Sequence, residues 1–74
     1  MWQTKNNKLV REFSFKDFKE ALDFVNKVGK LAEDQNHHPD IELGWGRVKI
    51  ILQTHSENAV TDKDRHLADT IDAL

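Results

Sequence analysis

Three histidines and two carboxylates are the side chains of this 74-residue sequence whose types and spacing could do acid–base chemistry. Imidazole has an unperturbed pKa of about 6.5, so it can both take and give a proton near pH 7. Removing water from a carbinol or carbinolamine needs one group to protonate the leaving hydroxyl and another to take a proton from the adjacent nitrogen or carbon. We therefore expect His37, His38 and His55, flanked by Glu33 and Asp64, to form a pocket suited to such a dehydration.

Other interpretations of the same residues stay open at this point. An adjacent His pair is often an exposed loop or a local hydrogen-bonded pair. Three histidines and a carboxylate can also hold zinc, but His37 and His38 are adjacent and no His-x-x-x-His pair is present. We predict that no metal is bound, and we interpret His66 as a surface residue.

The composition restricts the classes of function that this protein could have. With 11 Lys and Arg against 13 Asp and Glu, the net charge is −2, which gives no broad basic field for a nucleic acid. The absence of Cys excludes thiolate nucleophiles and Cys-ligated metals. No apolar run approaches the roughly 20 residues of a membrane span, and the first residues lack the basic segment followed by an apolar stretch that a secretory signal needs. We therefore expect a cytoplasmic protein that binds neither membranes nor nucleic acid directly.

Residues 1–74 are expected to form one small domain. Hydrophobic residues make up 38% of the chain, which is enough for a core but leaves little to spare at this length. Oligomerisation is therefore expected.

The first half of the sequence predicts a hairpin and a helix. Strands at Trp2–Lys5 and Leu9–Phe15 flank an Asn-Asn pair, and Asn tolerates the positive φ of a tight turn. One parity of the second strand, which includes both Phe rings, should be buried. From Lys16 to about Gln35 apolar residues then recur at helical spacing. The expected core stripe consists of Phe18, Ala21, Leu22, Val25, Val28 and Ala32.

Three further residues of this helix have packing that the spacing alone does not decide. Phe24 and Leu31 lie at the edge of the stripe and belong either to the core or to a subunit interface. Gly29 is tolerable if a neighbouring backbone packs close to it. Asn36 and Pro39 end the helix and leave the adjacent histidines in a loop.

The second half predicts another hairpin and a second helix. Strands at Ile41–Trp45 and Val48–Leu52 turn at Gly44–Gly46, and Thr61–Asp64 resembles a capping box with a shorter acid than usual. Apolar residues follow at helical spacing, namely Leu67, Ala68, Ile71 and Leu74. The order ββαββα predicts a two-layer α+β fold, a four-stranded antiparallel sheet with both helices on one face. Its hairpin pairing should bring the loop histidines and His55 together.

These residues resemble the active-site signature of the pterin-4a-carbinolamine dehydratases. The signature is a charged residue, three positions, His-His-Pro, five or six positions, an aromatic, nine positions, His, and a later Asp. The matching residues are Glu33, His37, His38, Pro39, Trp45, His55 and Asp64. The resemblance also includes the Thr54–Ser56 segment, and it covers nearly the whole chain.

The resemblance implies dehydration of 4a-hydroxytetrahydropterin to quinonoid dihydropterin, which recycles pterin for aromatic amino acid hydroxylases, without metal or cofactor. His38 is the first choice for proton transfer, with His37 and His55 assisting and binding. Glu33 and Asp64 would orient these imidazoles. Pro39 would fix the loop and Trp45 would complete an aromatic wall. Family members form homodimers and homotetramers.

Two departures and one alternative accompany the resemblance. The chain begins close to its first strand, whereas many relatives have a longer N-terminal segment, and Ile41 stands where animal relatives usually have Trp. The alternative function is a pterin-binding or protein-interaction module, because animal relatives act as dimerisation partners of a transcription factor and some microbial relatives are linked to molybdopterin metabolism.

Overall fold

Six elements form the chain, and the computed structural model describes all of residues 1–74. They are β1 (Gln3–Lys5), β2 (Lys8–Ser14), α1 (Phe18–Gln35), β3 (Asp40–Gly44), β4 (Arg47–Leu52) and α2 (Asp62–Asp72). The strands form one antiparallel sheet in the order β1-β2-β4-β3. The predicted ββαββα α+β fold is confirmed. Neither helix is both long and apolar enough to cross a membrane.

Residues with left-handed backbone make the two hairpin turns. Asn6 and Asn7 have φ values of 50° and 63°, which suits a two-residue turn whose twist matches that of the strands. Gly46 has a φ of 66°, and its carbonyl accepts a hydrogen bond of 2.8 Å from the Phe15 backbone N–H. This bond joins the β3–β4 turn to the end of β2.

The core lies between one face of the sheet and both helices. Val48, Ile50 and Leu52 alternate along β4 and are fully buried. Because alternate residues share one face of a strand, this face of the sheet is the one that the helices cover. The other members of the buried cluster are Leu9, Ala21, Val28, Leu67, Ala68 and Ile71.

The predicted core stripe of α1 was wrong at two positions. Phe18 and Leu22 are 44% and 37% exposed. Phe24 instead packs against the rings of Phe13 and Phe15, with centroid separations of 4.7 and 5.0 Å. The helix is turned toward the aromatic face of β2, so the core interpretation of Phe24 is confirmed.

Two glycines differ in whether the structure has room for a side chain. A Cβ at Gly29 would meet no atom within 4 Å, so the close backbone expected there is absent from the chain. Gly29→Ala should therefore stabilise α1 by about 0.5–1 kcal/mol. A Cβ at Gly46 would lie 2.8 Å from the Phe15 carbonyl oxygen at positive φ, so Gly46→Ala should destabilise by more than about 1 kcal/mol. Urea unfolding of both variants measures the two signs, and a stabilising Gly46→Ala would contradict this account.

Candidate functional site

A buried carboxylate joins three elements at one end of the molecule. Asp64, in the first turn of α2, is fully buried. It accepts hydrogen bonds from His37 Nε2 at 2.5 Å, from the Thr54 hydroxyl at 2.8 Å and from the Thr61 backbone N–H at 2.9 Å. These donors come from the loop after α1, the segment after β4 and the residue that precedes α2.

The start of α2 explains why Asp64 points inward. Thr61 is the N-cap residue, with extended backbone at φ −125° and ψ −178°. In a capping box the acidic side chain three residues later accepts the N-cap N–H, and Asp64 does so here. The predicted capping box is confirmed, and the short Asp side chain leaves its second oxygen for His37.

The hydrogen bonds decide the charge of Asp64. Burial raises the pKa of this carboxyl, but the hydrogen bonds from His37, the Thr61 N–H and the Thr54 hydroxyl outweigh burial and hold its pKa below the usual value. Asp64 is therefore ionised at neutral pH and acts only as an acceptor.

The end of α1 determines where His37 lies. Asn36 adopts the left-handed conformation, with φ 50° and ψ 43°. The N–H groups of Asn36 and His37 then bond the carbonyls of Glu33 and Ala32 at 3.2 and 3.0 Å, which is the Schellman pattern of helix ends. The predicted helix end is confirmed, and it holds the His37 backbone against the last turn.

The Asp64 contact fixes the tautomer of His37. Because the carboxylate can only accept, Nε2 carries the proton. Nδ1 has no hydrogen-bond partner, and every buried side-chain nitrogen or oxygen in the structure has one, so Nδ1 reaches solvent. In the neutral ring Nδ1 holds a free lone pair and can accept a proton.

His38 forms a second and more exposed pair with Glu33. Its Nε2 contacts a Glu33 carboxylate oxygen on the last turn of α1. The His38 side chain is 56% exposed and that of Glu33 is 76% exposed, whereas that of His37 is only 12% exposed. Adjacent imidazoles are thus paired with separate carboxylates, one in the interior and one at the surface.

His55 lies close to this arrangement along the chain but forms no side-chain hydrogen bond. It is exposed in the turn that follows Thr54, and that turn is closed by a bond of 3.0 Å from the Thr54 N–H to the Ala59 carbonyl. The buried Gln53 side chain fixes the same turn by bonding Asn58 at 3.4 Å and the Asn7 carbonyl at 3.2 Å. No group of three or more His, Asp or Glu side chains is arranged to hold a metal ion.

Trp45 and Pro39 occupy different ends of the second hairpin. Pro39 is half-buried directly after His38, next to the start of β3. Trp45 is 74% exposed at the tip of the hairpin, beyond the Gly44–Arg47 pair. A strand rises about 3.3 Å per residue, so the five-residue β3 separates Trp45 from the loop histidines. The structure does not bring Trp45 to them within one chain.

Two hydroxyls that the sequence analysis did not include among the site residues belong to the site. Thr54 is 6% exposed and bonds Asp64, and its hydroxyl lies 2.6 Å from that of Thr61. The sequence could have indicated that Thr54 is buried, because Thr54 continues the alternation that turns Ile50 and Leu52 of β4 toward the core.

Loss of the Asp64 charge should lower stability in a pH-dependent way. Asp64→Asn replaces an acceptor with a group that cannot accept from all three donors, which should cost about 1–3 kcal/mol at pH 7. Because folding lowers the pKa of Asp64, its contribution is complete above the ordinary Asp pKa of about 3.9 and is lost as the pH falls through the folded-state value. Urea unfolding from pH 7 to pH 2 should therefore show a smaller acid-induced loss in Asp64→Asn than in wild type. Asp62→Asn, an exposed change in the same turn, is the control, and equal effects of the two variants would refute the role of Asp64.

Comparisons with known proteins agree on one family. A family model described as pterin 4 alpha carbinolamine dehydratase matches residues 1–74. A Rubrobacter xylanophilus protein named "Putative pterin-4-alpha-carbinolamine dehydratase" is 54% identical over 66 residues, which cover 89% of this chain and 62% of that protein. A Picosynechococcus protein of the same name is 48% identical over 73 residues, covering 99% and 79%. The chain thus spans less than two thirds of the length of the Rubrobacter relative.

Two solved structures share the fold. A transcriptional coactivator/pterin dehydratase from Brucella melitensis superposes with a TM-score of 0.92 at 38% identity, over 97% of this chain and 79% of that one. A pterin dehydratase-like protein identified as a RuBisCO assembly factor in the alpha-carboxysome gives a TM-score of 0.79 at 26% identity, over 99% and 84%. The match over all 74 residues, together with these relatives, shows that the chain belongs to the pterin-4a-carbinolamine dehydratase family.

Proposed function

We propose that the protein dehydrates 4a-hydroxytetrahydropterin to quinonoid dihydropterin by histidine acid–base catalysis, in the recycling of tetrahydropterin. The observation that carries the proposal is the pair of adjacent imidazoles, His37 and His38, each bonded through Nε2 to its own carboxylate. Membership of the dehydratase family supplies the substrate class.

The reaction requires one acid and one base. The bond from C4a to the hydroxyl oxygen breaks, and the oxygen leaves as water after it receives a proton. N5 loses its proton, and the electrons of that bond form the double bond between N5 and C4a. No electrons leave the pterin, so the step needs no oxidant, and each proton transfer assisted by a positioned side chain is worth about 10²–10⁴ in rate.

We assign the principal proton transfer to His38. With Nε2 on Glu33, the Nδ1 nitrogen is the one left for a substrate, and the exposure of the ring makes it accessible. As the acid, His38 gives its Nδ1 proton to the leaving hydroxyl. His37, whose Nδ1 reaches solvent, takes the proton from N5 as the base. The two transfers leave His38 neutral and His37 protonated, and exchange with solvent restores both.

The remaining residues of the signature are assigned to binding. His55 is exposed and directly follows Thr54, which bonds Asp64, and we propose that its ring contacts the pterin. Pro39 has no N–H and a fixed φ, so it limits the conformations of the loop that carries His38. Trp45 lies at the far end of β3, so its proposed place beside the pterin requires a neighbouring subunit.

Removal of the His38 imidazole should abolish most of the catalysis without unfolding the protein. His38→Ala should lower the rate of dehydration at least about 100-fold, because one proton-transfer group is lost. The rate is measured by ultraviolet absorbance with 4a-hydroxytetrahydropterin generated in the cuvette. His66→Ala is the matched control, since His66 is an exposed imidazole on α2 outside the cluster.

The contrasting outcomes separate the two functions that the family suggests. Equal rates in His38→Ala and His66→Ala would remove His38 from the mechanism. A folded wild-type protein that does not accelerate the dehydration at all would favour the binding module instead.

A second role, association with other protein surfaces, is favoured by one side of α1. Phe18, Leu22, Val25 and Gly29 follow one another at helical spacing, and none of them is fully buried. No atom of the chain lies within 4 Å of the place where a Gly29 Cβ would stand, so this part of α1 is open to another chain. We propose that this α1 stripe forms the contact of a homodimer or homotetramer. The names of the coactivator and the assembly factor describe partner-binding relatives.

A charge within the α1 stripe should weaken self-association. Leu22→Glu places a carboxylate where an apolar contact is proposed, and burying an unpaired charge is unfavourable. Sedimentation equilibrium should show at least about tenfold weaker association for Leu22→Glu than for wild type. Lys30→Glu, on another exposed side of α1, is the control; an assembly that tolerates Leu22→Glu would place the contact elsewhere.

A further inference from the structure

We propose that Thr54 is a positioning residue for His37: its hydroxyl, backed by that of Thr61, holds the Asp64 carboxylate so that His37 keeps its proton on Nε2. Thr54 contacts neither imidazole by a hydrogen bond, and it acts only through Asp64. The effect on turnover rests on the proposed function, whereas the effect on His37 does not.

Counting hydrogens fixes the direction of each bond. The ionised carboxylate has no proton to give, so the Thr54 hydroxyl donates to Asp64 Oδ2 over 2.8 Å. A hydroxyl has a single hydrogen, so Thr54 must then accept from Thr61 over the 2.6 Å that separates their oxygens. The hydroxyls of Thr61 and Thr54 therefore form a one-way chain that ends on Asp64.

Burial leaves no simple substitute for this chain. Thr54 is 6% exposed and Asp64 is fully buried, so there is little access for a water that could replace a lost donor. Hydrogen bonds in such surroundings are strong, and an unsatisfied acceptor is correspondingly unfavourable. Without the Thr54 hydroxyl, Asp64 Oδ2 would keep only the Thr61 N–H, so the carboxylate would lose one of the two contacts that hold Oδ2 and limit its rotation.

The orientation of the carboxylate determines the chemistry of His37. While Oδ1 faces Nε2, the neutral ring must carry its proton there and present a free Nδ1. A carboxylate that rotates away allows the proton to move to Nδ1, which then cannot act as a base. Thr61 is also the N-cap of α2, so the same chain connects the start of that helix to the tautomer of His37.

The tautomer can be observed without any substrate. Long-range ¹H–¹⁵N spectra of ¹⁵N-labelled protein show which ring nitrogen carries the proton, and His37→Gln identifies the His37 signals. We expect wild-type His37 to be protonated on Nε2 when neutral, and Thr54→Val to move part or all of the population to Nδ1. Thr54→Ser, which restores the hydroxyl, should return the wild-type pattern.

Kinetics measure the consequence for the reaction. Thr54→Val should lower kcat about ten- to a hundred-fold, as loss of an outer partner does in metal sites. KM should change little, because Thr54 has no proposed contact with substrate. Thr70→Val is the control: it removes another hydrogen-bonded Thr hydroxyl, one that bonds Gln35 and the Leu67 carbonyl and takes no part in the Thr61–Thr54–Asp64 hydrogen bonds. It should leave the tautomer and kcat near wild type.

Each outcome decides the proposal. Unchanged His37 ring signals in folded Thr54→Val would overturn it, as would an equal change in Thr70→Val. A shifted tautomer in a protein that does not dehydrate the carbinolamine would support the positioning role while refuting the proposed function. If Thr54→Val does not fold, wild type alone decides: slowly exchanging hydroxyl protons of Thr54 and Thr61 support the chain, and rapidly exchanging ones overturn it.

Discussion

The buried Asp64 carboxylate is the constraint on which the rest of the structure depends. A charge removed from water is tolerated only where donors replace its hydration, and a missing donor is strongly unfavourable. Asp64 has its donors only because the end of α1, the segment after β4 and the N-cap of α2 meet at one point. Folding and the assembly of the candidate site are therefore the same event: either helix out of place leaves this charge unsatisfied.

Short-range backbone preferences bring those three segments to the meeting point. Asn36 turns the chain back at the end of α1, which keeps His37 within reach of α2. The loop after β4 has little regular structure, and the buried Gln53 amide ties it to the first hairpin and to Asn58. The residues that bond Asp64 thus lie in or next to two segments, the end of α1 and the loop after β4, whose conformations are each fixed by hydrogen bonds.

Much of this arrangement was predictable because it depends on local signals. The Asn pair of the first turn, Asn36 at the end of α1 and the Thr61–Asp64 spacing each act through a few neighbouring residues. The rotation of α1 was not predictable in this way. Phe18 and Phe24 are equally apolar, and the choice between them is made by the rings of Phe13 and Phe15, which lie on or beside another element, β2. The role of Thr54 was only partly predictable for the same reason. Its alternation with Ile50 and Leu52 indicates that its side chain is buried, but only the packing of α2 against the sheet makes Asp64 its partner.

The two His–carboxylate pairs differ mainly in their access to water, and this difference suits opposite tasks in the proposed mechanism. An exposed pair such as His38–Glu33 is screened and weakly held, so its ring can move and exchange a proton with solvent after each turnover. The interior pair His37–Asp64 cannot rearrange without exposing a charge to an apolar surrounding. In the proposed mechanism the acid His38 must regain a proton from solvent after each turnover, whereas the base His37 must present its free Nδ1 at a defined point, so one group of each kind is needed. Two adjacent residues supply both, because the His37 side chain is mostly buried and the His38 side chain is exposed.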